Sequence, residues 1–229
     1  MDGIAKPGRR SGPGQLDAAA PERRIVAAAC RVIARKGVEA TRVADIAREA
    51  GTSTGTVHYY FETKEDVLVA ALRWANERPY GPLEDLLESA ADAKERLAAL
   101  LDAAVPYPGE RQEDFVLWVE TSIAASRLRP RLGRESESVG RRWRSYFVDV
   151  IGEGVRSGTF HPVASVDEVA ERLIALADGL AFKAAIGQPW MPAKRVRELL
   201  GRFAAEQLDV ASGDFRSRER VPTRAGARA

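Results

Sequence analysis

Residues 41–61, TRVADIAREAGTSTGTVHYYF, read as two short helices folded about one glycine. Val43, Ile46, Ala47 and Ala50 share one face of the first helix, and Thr41 stands where a hydroxyl can cap its opening N–H groups. Gly51 permits the positive φ of a tight change of direction, and Thr52 or Ser53 can cap the next helix at once. That second helix, roughly 53–60, offers a core only Val57 and one or two rings. The rest of its surface is Thr54, Gly55, Thr56, His58 and Tyr59, which a helix built only for packing would not carry. Small hydroxyl residues let backbone come close to phosphate, while His and Tyr supply hydrogen bonds to phosphates or base edges. The pattern is that of a helix-turn-helix entering a DNA groove; a surface corner of an ordinary all-α domain is the alternative.

Just downstream, Thr63 and Asp66 form a capping box, and Val67, Leu68, Ala71, Leu72 and Ala75 follow at helical spacing. Lys64 sits in the first turn of this helix, where the macrodipole favours an acid. A phosphate beside it would account for its placement; solvation next to Glu65 and Asp66 would also. Upstream, Pro21 to Arg24 open an amphipathic helix with Ile25, Val26, Ala29, Val32 and Ile33 inward, stopped at Lys36-Gly37.

Taken together, Ile25 with Ala28 and Ala29, Gly37, Thr41, Ile46, Ala47, Ala50-Gly51, Ser53, Gly55-Thr56-Val57, Tyr59-Tyr60-Phe61 and Lys64 with Leu68 form a specific combination. The segment resembles the N-terminal DNA-binding domain of the TetR family of transcriptional regulators. His58 departs from it, since many members carry tyrosine there, and a phosphate contact at that position does not carry over. Base contacts are expected from Thr52, Thr54, Thr56 and His58, with Ser53 and Gly55 at the same helix start. Phosphate contacts are expected from Thr41, Arg42, Tyr59 and Lys64.

Composition agrees with an all-α chain. Ala, Leu, Arg and Glu dominate, and 229 residues suffice for a small domain and a larger helical body. With 35 bases against 33 acids, the net charge of +2 argues against binding nucleic acid by bulk electrostatics and suits contacts gathered at one end. Residues 1–20, rich in Gly and Pro with Lys6, Arg9 and Arg10, read as a flexible arm. Such an arm reaches the minor groove or serves only as a solubilising leader. Residues 212–229 read as a disordered basic tail. Cys30, the single cysteine, is expected to be a small core residue, which excludes a disulfide within the chain. No apolar stretch reaches a spanning length, and the expected location is the cytoplasm. The two histidines, His58 and His161, lie far apart, with no metal-ligand cluster, phosphate-cradling loop or nucleophile motif, so neither an enzyme nor a cofactor is expected.

Pro79-Tyr80-Gly81-Pro82 is expected to break the helix begun at Lys64 and to separate a helix-turn-helix domain, 21–78, from a helical body, 79–211. In that body the spacing predicts helices near 83–91, 94–105, 113–127, 131–157, 166–187 and 193–210, with Ser165 and Glu168 as a capping box. Trp118, Thr121 and Ser122 on one helix, Trp143 and Phe147 on the next, and Asp178 with Phe182 on a third are candidates for an effector cavity. Each aromatic alone is as readily core. Asp178 lies on a stripe with Leu173, Leu176, Ala177 and Leu180, where a carboxylate is costly to bury alone. It pairs either with a cationic ligand or with Arg172 or Lys183.

Residues 143–160 and 176–187 are similar to the C-terminal domain of the BetI-like branch of the family, in which this body binds a ligand and forms the dimer. By that similarity the last two helices form a four-helix interface through Leu173, Leu176, Leu180, Val196, Leu199, Leu200 and Phe203, unless they close the subunit's own core. The expectation is thus an all-α fold with an N-terminal three-helix helix-turn-helix domain and a larger C-terminal helical ligand-binding and dimerisation domain. Its partners would be double-stranded operator DNA, a second copy and an unidentified small-molecule effector, with repression the expected output and activation the alternative. A helical adaptor that binds a protein partner is the competing class.

Overall fold

The computed structural model describes residues 21–125, 130–211 and 213–215; the expected arm at 1–20 and, of the expected tail at 212–229, residues 212 and 216–229 lie outside the described residues. Helix α1 (Pro21–Ala40) turns Ile25, Ala28, Ala29, Val32 and Ile33 inward, and Gly37, at φ 75 and ψ 164, ends its regular part. Helices α2 (Val43–Glu49) and α3 (Thr54–Tyr60) add Ile46, Ala47 and Val57 to the same core. Helix α4 (Lys64–Ser89) closes it with Val67, Leu68, Ala71 and Leu72. The Thr63–Asp66 capping box is present at its start. Each fully buried Ile or Leu contributes about 1.5–3 kcal/mol of transfer free energy, so this small unit rests on its apolar stripes.

α4 runs without interruption through Pro79 and Pro82, so the expected break there is corrected. A proline removes one i→i−4 hydrogen bond, but a helix held on both sides of it by packing absorbs that loss. α4 packs on α1 and α6 and, further along, on α5 and α7. It therefore passes from one core into the other.

The second core lies among α5 (Ala93–Ala103), α7 (Pro130–Arg156), α8 (Val166–Ala185) and α9 (Ala193–Leu208), with Leu97, Leu100, Phe147, Ile151, Leu173 and Leu200 fully buried. Helix α6 (Glu110–Ala125) serves both units: it packs on α1, α4, α7 and α8, and its Leu117 is buried in the first core. Ser165 accepts from the Glu168 N–H, one half of the expected capping box, while the Glu168 carboxylate pairs with Arg172. Cys30 is half-buried, its thiol 3.5 Å from the Ala71 carbonyl oxygen.

Residues 213–215 belong to the fold, which corrects the expectation that disorder begins at 212. Asp214 pairs with Lys94 at 2.7 Å, and Phe215 is 1% exposed with its ring 6.2 Å from that of Phe160. An aromatic anchor of this size outweighs a breaker-rich local sequence. Among the described residues there is no strand, and no helix is long and apolar enough to cross a membrane.

Candidate nucleic-acid interface

The corner forms because each local signal agrees. Gly51 takes φ 64, which its lack of a Cβ makes inexpensive, and Ser53 accepts from the Thr56 N–H at 3.0 Å to cap α3. Val57, fully buried, pins α3 to the core from the opposite side. The outward face is then Thr54, Gly55, His58 and Tyr59, with Tyr59 82% exposed and its ring edge-on to Tyr60 at 5.0 Å. Thr52 and Thr56 are half-buried beside them, and the Thr56 hydroxyl shares a 2.9 Å hydrogen bond with Ser53. Among the expected contact residues, Thr52, Ser53, Thr54, Gly55, Thr56, His58 and Tyr59 fall on one continuous surface.

Thr41 does not join them. Its side chain is 1% exposed and its hydroxyl donates to the Gly37 carbonyl oxygen at 2.7 Å, satisfying a group orphaned where α1 ends. The cap position of α2 is Arg42, which is exposed and whose N–H donates to Asp45 Oδ2 at 3.3 Å. Thr41 is thus an internal tie rather than a helix cap or a side-chain phosphate contact. Lys64 is also engaged within the fold, where its ammonium donates to the carbonyl oxygens of Val38 at 2.9 Å and Glu39 at 3.3 Å. A cation at the C-terminal end of a helix is favourable to the macrodipole of α1, which explains a lysine at the first turn of α4 without a phosphate.

The acids of the corner are drawn away from the exposed face. Lys36 bonds Asp45 at 2.9 Å and holds its carboxyl below the usual carboxylate range, and Arg31 and Arg35 do the same for Glu49. These exposed pairs add little stability, but they keep carboxylates on the α1 side. On the other flank, Asp66 is lowered by the Thr63 cap and by Arg131 of α7, which ties the body to the first turn of α4.

The expected effector residues are less well gathered. Trp118 is half-buried with its ring 5.7 Å from Phe115, and Ser122 Oγ lies 3.1 Å from Ser136 Oγ of α7. Trp143 is half-buried and meets Phe147 edge-on at 5.2 Å; Phe147 itself is fully buried in the second core and packs there. The side chain of Thr121 lies outside what the structure describes. Phe182 is 42% exposed beneath the Lys183 ammonium, so it lines the surface and not an interior cavity. Asp178 is the singular group. Burial pushes its carboxyl up to about 6, and neither surface partner reaches it: Arg172 bonds Glu168 and Gln207, and Lys183 sits over Phe182. An open groove of about 260 Å³ between α4, α5 and α7 is lined by Leu87, Arg96, Tyr146 and Val150 among others, and none of the expected effector residues lines it.

The expected dimer residues divide. Leu173, Val196 and Leu200 are fully buried in the subunit's own core, which removes them from any interface; they alternate with the outward stripe at helical spacing. Leu176, Leu180, Leu199 and Phe203 are half-buried on the side of that core. The outward face of α8 carries Ala175, Gly179 and Phe182 and continues into its C-cap Ile186, the last two 42% and 52% exposed. Sequence reasoning missed Glu120, whose carboxylate touches the end of α1; its partner stands 82 residues away, and no local pattern marks it.

A short polar helix anchored by one valine on a three-helix core, carried by a second helical body, defines a helix-turn-helix DNA-binding regulator. Residues 25–82 match the family described as bacterial regulatory proteins, tetR family, and residues 93–209 match the BetI-type transcriptional repressor C-terminal domain. The chain belongs to the TetR family of transcriptional regulators, which are not enzymes. A putative transcriptional regulator from Saccharomonospora viridis in complex with choline is 33% identical, with a TM-score of 0.77 over 82% of this chain and 96% of that one. The repressor KstR2 of Mycolicibacterium smegmatis is 30% identical over 62% of this chain and 68% of its own length. The regulator PksA of Bacillus subtilis is 26% identical over 82% and 90%.

Proposed function

We propose that the chain is a ligand-responsive repressor that binds a palindromic operator as a symmetric dimer and is released by a small organic cation. The exposed face of α3 carries the reading: Thr54, Gly55, His58 and Tyr59 project from a helix that spends only Val57 on the core. A two-fold dimer would set two such helices about 34–36 Å apart, in successive major grooves. The helix-turn-helix unit would span 21–78 and the ligand-binding and dimerising body 79–215, with α4 running through both.

The outward stripe of α8 supports the dimer. Ala175 and Gly179 permit close helix approach, while Phe182 and Ile186 supply apolar area, with Leu176, Leu180, Leu199 and Phe203 beside them. A cationic effector is supported by Asp178, a half-buried carboxylate whose candidate protein partners are engaged elsewhere, and by the choline bound to the Saccharomonospora viridis relative. Trp118 and Trp143, half-buried on α6 and α7, are the aromatic faces suited to such a cation. Release requires the ligand to favour the non-binding arrangement by about 5.5 kcal/mol to move occupancy from nearly full to nearly empty.

Selection of bound DNA from random duplexes tests this reading, since it reports binding, palindromy and half-site spacing together. Recovery of a palindrome with half-sites one turn apart supports it; no enrichment by the folded chain removes it. Thermal melting against choline and a panel of other small cations then tests the effector arm.

A further inference from the structure

The segment joining α1 to the corner is held from several directions. Gly37 adopts φ 75, and the N–H of Val38 immediately after it donates to Glu120 Oε2 at 3.3 Å. The carboxylate reaches that amide because position 37 has no side chain: a Cβ there would lie 2.8 Å from the same oxygen. Lys64 holds the Val38 and Glu39 carbonyls, and the Thr41 hydroxyl holds that of Gly37. Those two ties come from within the small N-terminal unit, whereas Glu120 belongs to α6 of the body. One turn earlier on α6, Leu117 is 1% exposed inside the first core, so the helix presenting the carboxylate is itself seated there.

We propose that Glu120 is a positioning residue for DNA recognition: its carboxylate, carried on α6, holds the Val38 amide and so sets the angle at which α2 and α3 leave α1. The inference rests on the DNA-binding reading above. Segment 38–42 is short and leads directly into α2, so a change of direction at Val38 is carried to α3. Hydrogen bonds to base edges prefer a near-linear donor angle and weaken steeply below about 120°, so a small tilt of α3 costs contacts that Glu120 never touches. What the site requires of residue 120 is an acceptor at the right distance. Glutamine retains one; leucine keeps comparable bulk without one.

The test compares wild type, E120Q and E120L on the duplex that the wild-type chain selects from a random pool, with hydrogen exchange read at residues 38–42. E120L is expected to bind that duplex roughly 10-fold more weakly and to exchange the Val38 amide several-fold faster, while E120Q stays within about 3-fold of wild type on both. If E120L melts far below wild type, E120A replaces it in the same comparison. Equal duplex affinity in wild type and E120L overturns the inference, as does equal loss in E120Q and E120L, which would assign the effect to charge rather than to the accepted hydrogen bond. A wild-type chain that enriches no duplex removes the DNA-binding reading itself, which separates that failure from this one.

Discussion

The Thr41 hydroxyl donates to the Gly37 carbonyl oxygen at 2.7 Å, inside the unit that carries the corner. Replacing it with valine keeps the shape and leaves that carbonyl without the partner. T41V is therefore expected to lose about 1–2 kcal/mol of stability, and T41S to keep most of it. Urea denaturation of the three proteins measures this; a T41V chain as stable as wild type would mean that the tie contributes nothing.

His58 and Tyr59 offer a cleaner probe of DNA contact than Lys64, whose ammonium is engaged with the end of α1. Both side chains are exposed on α3, Tyr59 by 82%, so truncation should leave stability within about 0.5 kcal/mol of wild type. H58A and Y59A are each expected to weaken binding to the selected duplex by roughly 10-fold, read by fluorescence anisotropy at fixed salt. Undiminished binding by the double variant would place the DNA surface elsewhere.

Much of the corner is legible in the chain because its determinants are local. Gly37, Gly51, the Ser53 cap and the Thr63–Asp66 box each act within four residues, and the structure places them as their chemistry demands. Thr41 is the instructive exception: one residue decides whether a hydroxyl caps the next helix or satisfies the last, and the core claims it. Pro79 and Pro82 mislead for the opposite reason, since long-range packing along α4 overrides a local breaker. On α8 and α9 periodicity identifies an apolar side without saying which part of it faces the subunit's own core. Leu173, Val196 and Leu200 are buried there, and only the fold separates them from Phe182 and Ile186.

Asp178 should leave a signature in the pH dependence of stability. Its carboxyl is raised from 3.8 to about 6 by burial, so between those values the folded chain binds more protons than the unfolded one. The Asp178 contribution to stability then falls as pH rises through that window and levels off above it, by on the order of 2–3 kcal/mol, and it is read as the difference between wild type and D178N. D178N has no such window: it is expected to be more stable than wild type at pH 8 and to lose that advantage near pH 4. If Asp178 is the counter-ion of a cationic effector, choline should raise the melting temperature of wild type more at pH 8 than at pH 5, and should not raise that of D178N.

Gly154 faces the ring of Phe160 so closely that a Cβ at 154 would lie 2.0 Å from the ring. The N–H groups of Thr159 and Phe160 both donate to the Gly154 carbonyl, which fixes the turn after α7, and Phe160 is 1% exposed. Neither the backbone nor the ring has room to yield. G154A should cost about 3 kcal/mol through overpacking, seen as a large fall in melting temperature, whereas G133A, where a Cβ meets nothing within 4 Å, should be tolerated.

The outward stripe of α8 is tested by charge. Phe182 and Ile186 are 42% and 52% exposed in the single subunit, so a glutamate at either position meets water and should leave the fold intact. Across a two-fold contact, the same change would face its own copy and leave a carboxylate in an apolar seam, at a cost of several kcal/mol. F182E and I186E are therefore expected to shift light scattering from about twice the chain mass of 25.0 kDa toward that mass, with helical content unchanged. Operator affinity should fall with them, because one corner alone grips one half-site. L173E, by contrast, places its carboxylate in a fully buried position and should unfold the body outright. A wild-type chain that elutes as a monomer at micromolar concentration, or an F182E/I186E variant that still pairs, would move the interface off this face.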